Sequence, residues 1–152
     1  MSIIWKYLDK RSGTIEAIKD YASMRFIIGN TDEEIRKAYD QMANAGGSGS
    51  DGMPHVRNLH PVEDKALRCI EEVDLLKERY RQAMEYMEWF EPAWNELTDD
   101  ERYVLETFYS GHDDVQGAVY EVSDHFQIER STAYNRKNRA LARLQVLLFG
   151  KS

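Results

Sequence analysis

A heptad repeat in the middle of the chain constrains the fold more than any other feature. Charged residues occupy most of the positions between its apolar members. This spacing is typical of an α-helix that presents one apolar seam to a second helix. Pro61 is a favourable first-turn residue, so we predict a helix over 61–91 that ends near Pro92. The residues of the seam are Ala66, Cys69, Val73, Leu76, Tyr80, Ala83, Met87 and Phe90.

The seam requires a helical partner, and the N-terminal arm, residues 1–44, offers one. Gly29 and Asn30 predict a break between two helices in this arm, and Thr31 with Glu34 has the capping-box pattern of a second helix start. The alternative partner is a second copy of the chain. We favour a homodimer through helix 61–91, because the apolar stripes of the arm are shorter than the seam. The expected inward residues of the arm are Ile15, Ile18, Ala22, Phe26, Ile35, Ala38, Tyr39 and Met42.

A stretch rich in glycine and serine follows the arm. Residues 45–60 contain four of the nine glycines, and this composition predicts a flexible linker. All three prolines lie outside the interiors of the periodic segments, which favours helices. We therefore predict an all-α protein with the arm at 1–44, the linker at 45–60, the long heptad helix at 61–91 packed on the N-terminal helices, and a C-terminal domain at 92–152.

Composition and charge limit the classes of function that the chain can have. The longest uninterrupted apolar run is four residues, so we expect a cytoplasmic protein without a membrane span. Cys69 is the only cysteine, which excludes an intramolecular disulfide and a cysteine zinc cluster. The formal net charge is −7, but residues 129–152 carry +5 and the rest of the chain therefore carries −12. A basic C-terminal segment indicates an anionic partner at that end.

Residues 97–148 predict three short helices. Thr98 and Glu101 form a second capping box, and Gly111 ends the first of these helices. The second helix spans about 114–126, and the third begins near Arg130 and ends near Leu148. Three helices with a tight turn before a basic third one form the helix-turn-helix arrangement. The expected inward residues are Val104, Leu105, Phe108, Val115, Val119, Val122, Phe126, Ala133, Ala140, Leu141, Leu144, Leu147 and Leu148.

The same stretch resembles region 4 of bacterial sigma factors. The blocks Leu97-Thr98, Glu101-Arg102, Val104-Leu105 and Phe108-Tyr109 are similar to its first helix. Residues 120–128 are similar to the first helix and turn of its helix-turn-helix, and residues 130–144 to its recognition helix and closing turn. Nothing upstream resembles the promoter-melting region 2. The architecture therefore more closely resembles small phage-encoded regulators of late genes that are sigma-like without being complete sigma factors.

The resemblance implies a DNA-binding transcriptional regulator without enzymatic activity. Region 4 places its third helix in the major groove of a promoter element and presents another surface to RNA polymerase. The base-reading positions that the resemblance carries over are Arg130, Ser131, Tyr134 and Asn135. Periodicity agrees, because residues 131, 134, 135 and 138 share one face of a helix.

Several polar and basic side chains of this helix have a chemistry suited to a DNA contact. Arg130 can pair with O6 and N7 of guanine, and Asn135 can pair with N6 and N7 of adenine. Asn138 lies on the same predicted face. Lys137, Arg139 and Arg143 are better suited to phosphates. Two positions depart from the family pattern: Glu129 replaces the usual capping Ser or Thr, and Arg136 replaces an aliphatic residue. Glu is a poor cap, so Ser131 or Thr132 could take that role, and the Arg136 stem could lie along apolar surface with its charge in solvent.

Other functions are weaker interpretations of the same residues. His112, Asp113 and Asp114 are adjacent in a polar turn, so they cannot converge on one metal ion, and we expect neither a metal nor a cofactor. The chain has no phosphate-binding loop and no nucleophile–base signature. One alternative is a protein–protein interaction module in which the heptad helix binds a partner. Another is a phage packaging subunit that joins a helix-turn-helix to a coiled coil.

Overall fold

The computed structural model describes residues 9–44 and 60–151, with side chains for 9–44 and 63–151. The described residues form five helices: α1 (Lys10–Asn44), α2 (His60–Glu96), α3 (Asp99–Tyr109), α4 (Val115–Phe126) and α5 (Arg130–Phe149). No strand occurs among them, so the predicted all-α class is confirmed. The predicted linker lies outside the described residues, except that its last residue, His60, is the first residue of α2. None of the described helices is both long enough and apolar enough to span a bilayer.

The N-terminal region forms one helix, so the predicted break at Gly29 and Asn30 is wrong. Thr31 is buried, and its hydroxyl donates to the carbonyl of Ile27 at 2.5 Å instead of capping a new helix. The amide of Asn30 likewise donates to the carbonyl of Phe26 at 2.8 Å. Hydrogen bonds to the preceding turn satisfy both side chains inside a helix. The cost of one helical glycine, about 1 kcal/mol, is small beside the packing of the helix.

Contacts divide the chain into two compact units, named here for their position in the sequence. The central unit is Met24–Glu85, and the terminal unit combines Met1–Ser23 with Tyr86–Ser152. These boundaries lie inside α1 and α2. Both long helices therefore contribute one part to each unit.

In the central unit, α1 covers the part of the heptad seam of α2 that contains Cys69 and Val73. Ile35 and Ala38 of α1 pack against Cys69 and Val73 of α2, and the Cys69 Sγ lies 3.5 Å from the carbonyl oxygen of Ala38. Further along the seam, Leu76 and Ala83 are also buried. Because these side chains are buried within a single chain, the seam does not by itself require a second copy.

Several residues that were expected to face inward are exposed. In the central unit these are Phe26, Tyr39, Met42 and Tyr80, and in the terminal unit Ala22 is exposed as well. Two helices bury only a narrow strip along their line of contact, so residues at the margins of a wide apolar stripe stay in solvent. The sequence pattern showed the stripe correctly, but it did not show how much of its width a neighbouring helix would cover.

The terminal unit contains a core to which α1, α2, α3 and α5 all contribute. Ile18 of α1, Phe90 and Trp94 of α2, Leu105 of α3 and Leu144 of α5 are among its buried members. The rings of Phe90 and Trp94 are stacked with centroids 5.5 Å apart. The hydroxyl of Tyr86 donates to the carbonyl of Ala17, and burial raises the pKa of this phenol above its ordinary value.

Helix α2 continues through Pro92 to Glu96, so the predicted end near Pro92 is wrong. Proline inside a helix removes one backbone hydrogen bond and costs about 3 kcal/mol. Ala93, Trp94 and Leu97 follow it and are all buried in the terminal unit. Burial of a large apolar side chain contributes about 1.5 to 3 kcal/mol, so Trp94 and Leu97 together outweigh the cost of the proline.

Replacing this proline tests whether the helix continues. Pro92→Ala should raise the free energy of unfolding by about 1–2 kcal/mol, because it restores a donor and removes a steric clash, while added freedom of the unfolded chain offsets part of the gain. Chemical denaturation would measure the change. Glu91→Ala, at the neighbouring exposed position, is the control and should change stability by less than about 0.5 kcal/mol. A neutral Pro92→Ala would mean that α2 ends where the sequence predicted.

Candidate nucleic-acid interface

The three C-terminal helices begin with the capping box that the sequence predicted. The Thr98 hydroxyl accepts a hydrogen bond from the backbone amide of Glu101 at 3.2 Å, and the Glu101 carboxylate accepts one from the amide of Thr98 at 3.1 Å. Asp99, Asp100 and Glu101 also place negative charge in the first turn, which complements the helix dipole. The start of α3 is therefore fixed by local chemistry.

Helices α3, α4 and α5 share a second apolar core. Two residues that were expected to face inward, Val115 and Leu147, are instead 54% and 40% exposed. Val115 is the first residue of α4, and Leu147 lies in the last turn of α5, where Leu148 takes the buried position. The buried members of this core are Val104, Phe108, Ala118, Val119, Val122 and Ala133.

The turn between α4 and α5 depends on one residue in a left-handed conformation. Gln127 has φ 53° and ψ 53°, and its side-chain amide donates to the carbonyl of Asp124. The next amide, that of Ile128, donates to the carbonyl of Ser123 at 3.0 Å, which closes the end of α4. Helix α5 then begins after Glu129, whose side chain makes no capping hydrogen bond.

The left-handed conformation of Gln127 can be tested by substitution to glycine. Glycine should stabilise the protein at this position and destabilise it at a control position inside a helix. A left-handed conformation costs a residue with a side chain about 1 kcal/mol or more, so Gln127→Gly should raise the free energy of unfolding by about 0.5–1 kcal/mol. Gln127→Val should lower it by about 1–2 kcal/mol, because β-branched residues resist positive φ. Thermal or chemical denaturation measures both changes.

The matched control is Gln82→Gly, at an exposed glutamine in the interior of α2. Glycine in a helix interior should destabilise the protein by about 1 kcal/mol. If both glycine variants were destabilised equally, Gln127 would not be in a left-handed conformation.

The polar face of α5 lies opposite its buried residues, as its periodicity predicted. Arg130, Ser131, Asn135 and Asn138 are exposed. Within the described part of the chain, none of these four side chains makes an ion pair or a side-chain hydrogen bond. Arg139 is also exposed and is likewise free of an ion pair among the described residues. This face is therefore available for an external partner.

Three other side chains of α5 are partly used within the protein. The ring of Tyr134 packs against Phe108, with centroids 6.1 Å apart. The Lys137 ammonium lies 5.2 Å from the centre of the Phe108 ring, and partial burial together with the charge of Arg11 lowers its pKa. The guanidinium of Arg136 lies 4.4 Å above the ring of Phe126. The charge of Arg136 therefore lies on an aromatic face.

Arg143 connects three helices. One of its nitrogens forms an ion pair with Glu101 of α3, and the other donates to the carbonyl of Glu96 at the end of α2, at 3.3 Å. Partial burial raises the pKa of Glu101, but hydrogen bonds from Thr98 and the charge of Arg143 outweigh this effect, so that its pKa lies below the ordinary value. Arg143 would have to leave these partners in order to reach a phosphate.

A double-mutant cycle tests this structural role of Arg143. Arg143→Ala and Glu101→Gln, the latter retaining a capping side chain, should show a coupling energy of about 0.5–1 kcal/mol in chemical denaturation. Because the folded-state pKa of Glu101 is lowered, its contribution is present above its ordinary pKa of 4.5 and is lost as the pH falls through the lowered value. The coupling should therefore disappear in acid.

The control cycle pairs Arg130→Ala with Glu101→Gln and should show no coupling, since Arg130 has no ion pair among the described residues. A coupling as large as that of Arg143 would mean that the two cycles report only general electrostatics.

The turn between α3 and α4 uses its polar residues for local structure. The Asp114 carboxylate accepts a hydrogen bond from the amide of Gly117 at 2.8 Å and so caps α4. His112 pairs with Glu121, and the hydroxyl of Tyr103 lies 3.4 Å from the same carboxylate. Among the described residues, no three side chains are grouped as metal ligands.

Sequence reasoning did not find the contacts that join distant helices. Glu101 and Arg143 are separated by 42 positions, and Tyr103 stacks on His125 with ring centroids 4.2 Å apart. No local spacing indicates such pairs, because they depend on how the helices pack. Comparisons of the chain with family models, with curated proteins and with solved structures returned no match.

Proposed function

We propose that the chain is a sequence-specific DNA-binding transcriptional regulator, sigma-like but without a promoter-melting region, of the kind that phages or prophages encode. In this proposal α5 enters the major groove of double-stranded DNA in the cytoplasm, and another surface contacts RNA polymerase. The observation that carries the proposal is the exposed face of α5, on which four polar side chains have no partner among the described residues. The opposite face of the helix is buried, which supports a fixed orientation.

The hydrogen-bond donors and acceptors on the exposed face of α5 match those on the edges of DNA bases. Asn135 and Asn138 each offer a donor and an acceptor, which is what the major-groove edge of adenine requires. Arg130, at the first position of α5, offers the paired donors that guanine requires. Arg139 lies beside them in solvent and is proposed as a phosphate contact.

Electrostatic repulsion limits the affinity of the chain for DNA. The −12 charge outside residues 129–152 opposes the approach of the protein to DNA. Acidic residues also lie on α4, the helix that crosses the DNA backbone in a helix-turn-helix. Binding by the chain alone should therefore be modest at physiological salt, and RNA polymerase would add contacts that α5 does not supply.

A protein–protein interaction module is the second candidate, and one observation favours it. Phe26, Leu67, Ile70 and Leu75 of the central unit are each more than half exposed. Apolar side chains at this degree of exposure are suited to a protein partner. A packaging subunit is a special case of this candidate and would form ring-shaped oligomers, which electron microscopy detects.

Substitutions on the exposed face test the proposed function. With the cognate duplex selected from a random pool, Arg130→Ala and Asn135→Ala should each weaken binding by about 1–3 kcal/mol and relax specificity at one position. Arg36→Ala removes the same charge from an exposed position of α1 and should leave binding unchanged. Gel-shift titration at low salt, and then with RNA polymerase present, measures these effects.

The salt dependence of DNA binding distinguishes the proposed roles of Arg139 and Arg143. Arg139→Ala should reduce the slope of log affinity against log salt by about one, because one phosphate contact is lost. Arg143→Ala should leave the slope near that of the wild type, since Arg143 is engaged by Glu101. If no condition gives sequence-preferring binding, and the α5 variants behave as the wild type does, the resemblance concerns the fold alone and the interaction module is the better account.

A further inference from the structure

A groove on the terminal unit is lined by residues outside the proposed DNA-reading helix α5. It has a volume of about 420 Å3 and is lined by residues of α1, α3 and α4 and by the turn after α3, with none from α5 among its described residues. Ile18 of α1 and Thr107 of α3 are buried residues that line it. Tyr103 adds an aromatic ring to the lining. The groove therefore offers apolar surface to an incoming side chain.

The charge of this groove is negative. Glu106 and Glu121 are the ionisable acids among its described lining residues, which include no lysine or arginine. Glu106 is exposed and makes no ion pair within the described part of the chain, so its charge is uncompensated. Glu121 is held in place by His112 and Tyr103.

The end of α3 adds to this negative potential. Its last turn contains no basic residue, and Ser110 and Gly111, which follow it, line the groove. The C-terminus of a helix carries a partial negative charge that favours a nearby cation. Two carboxylates and one helix end therefore bias the same groove toward a positively charged group.

We propose that this groove binds a cationic segment of a partner protein, in which an arginine or lysine lies next to an aliphatic side chain. The cation would approach Glu106 and the ring of Tyr103. There the cation–π attraction to the ring would add to the electrostatic attraction to the carboxylate. The aliphatic side chain would contact the apolar lining near Ile18. Nucleic acids and anionic lipid surfaces do not fit, because their phosphates would meet the two carboxylates.

Because α5 contributes no described residue to the groove, this site is independent of the proposed DNA contacts. The proposed base and phosphate contacts on α5 therefore use none of the residues that line the groove. The site remains available in the same way if the chain does not bind DNA at all.

Amide NMR spectra of the full chain, titrated with a probe peptide, test the proposal. The probe is acetyl-Ala-Arg-Leu-Lys-Leu-Ala-amide, and its counterpart carries Glu in place of Arg and Lys. We expect the cationic peptide to shift the amide signals of Ile18, Thr107 and Ser110, and the acidic peptide to leave them unchanged. Added salt should weaken the interaction, since the groove is open to solvent.

Glu106→Gln keeps the shape of the side chain and removes its charge, so it should weaken peptide binding by about threefold to fivefold. Glu91→Gln, an exposed carboxylate of α2 outside the groove, is the matched control and should bind as the wild type does. Circular dichroism establishes that both variants are folded. If Glu106→Gln does not fold, the comparison of the two peptides on the wild-type protein decides the outcome.

Three results would overturn the proposal. The first is equal binding of the acidic and cationic peptides, and the second is unchanged affinity in a folded Glu106→Gln variant. The third is a shift of the same groove amides by duplex DNA, which would assign the groove to nucleic acid. A shift of α5 amides by DNA, with the groove amides unchanged, would agree with both proposed sites.

Discussion

The burial of α5 is the interaction on which the terminal unit depends. Leu141 and Leu144 are 1% and 0% exposed, and they belong to the core shared with α1, α2 and α3. Ala133, two to three turns earlier, belongs to the separate core with α3 and α4. One helix therefore completes two apolar clusters, and its orientation cannot change without opening both. This constraint determines which face of α5 remains in solvent.

Some basic side chains of α5 make contacts within the protein, and others are exposed to solvent without such contacts among the described residues. Arg143 is used by Glu101 and Glu96, while Arg136 and Lys137 lie against aromatic rings. Among the described residues, Arg130 and Arg139 make no such contact. The net charge of the segment thus overstates the number of cations that are free to bind a phosphate or a base, which is a physical reason to expect modest affinity.

The two proposed sites use opposite electrostatics on one unit. The exposed face of α5 offers neutral amides with arginines, whereas the groove between α1, α3 and α4 combines carboxylates with a helix C-terminus. The arginines of the α5 face therefore repel a cationic peptide, and the carboxylates of the groove repel DNA. A regulator that must hold DNA and a protein at the same time benefits from such a separation, since neither partner competes for the other's site.

The sequence by itself determined the all-α class, the limits of α3, α4 and α5 within one or two residues, and the polar face of α5. Capping boxes and periodicity act over a few residues, so they are visible in the chain. Tertiary structure alone decided that α1 is continuous through Gly29, that α2 continues past Pro92, and that Arg143 pairs with Glu101. For α1 and α2, tertiary packing outweighs a local preference of about 1–3 kcal/mol. Arg143 and Glu101 are 42 positions apart, so no local pattern contains the information that pairs them.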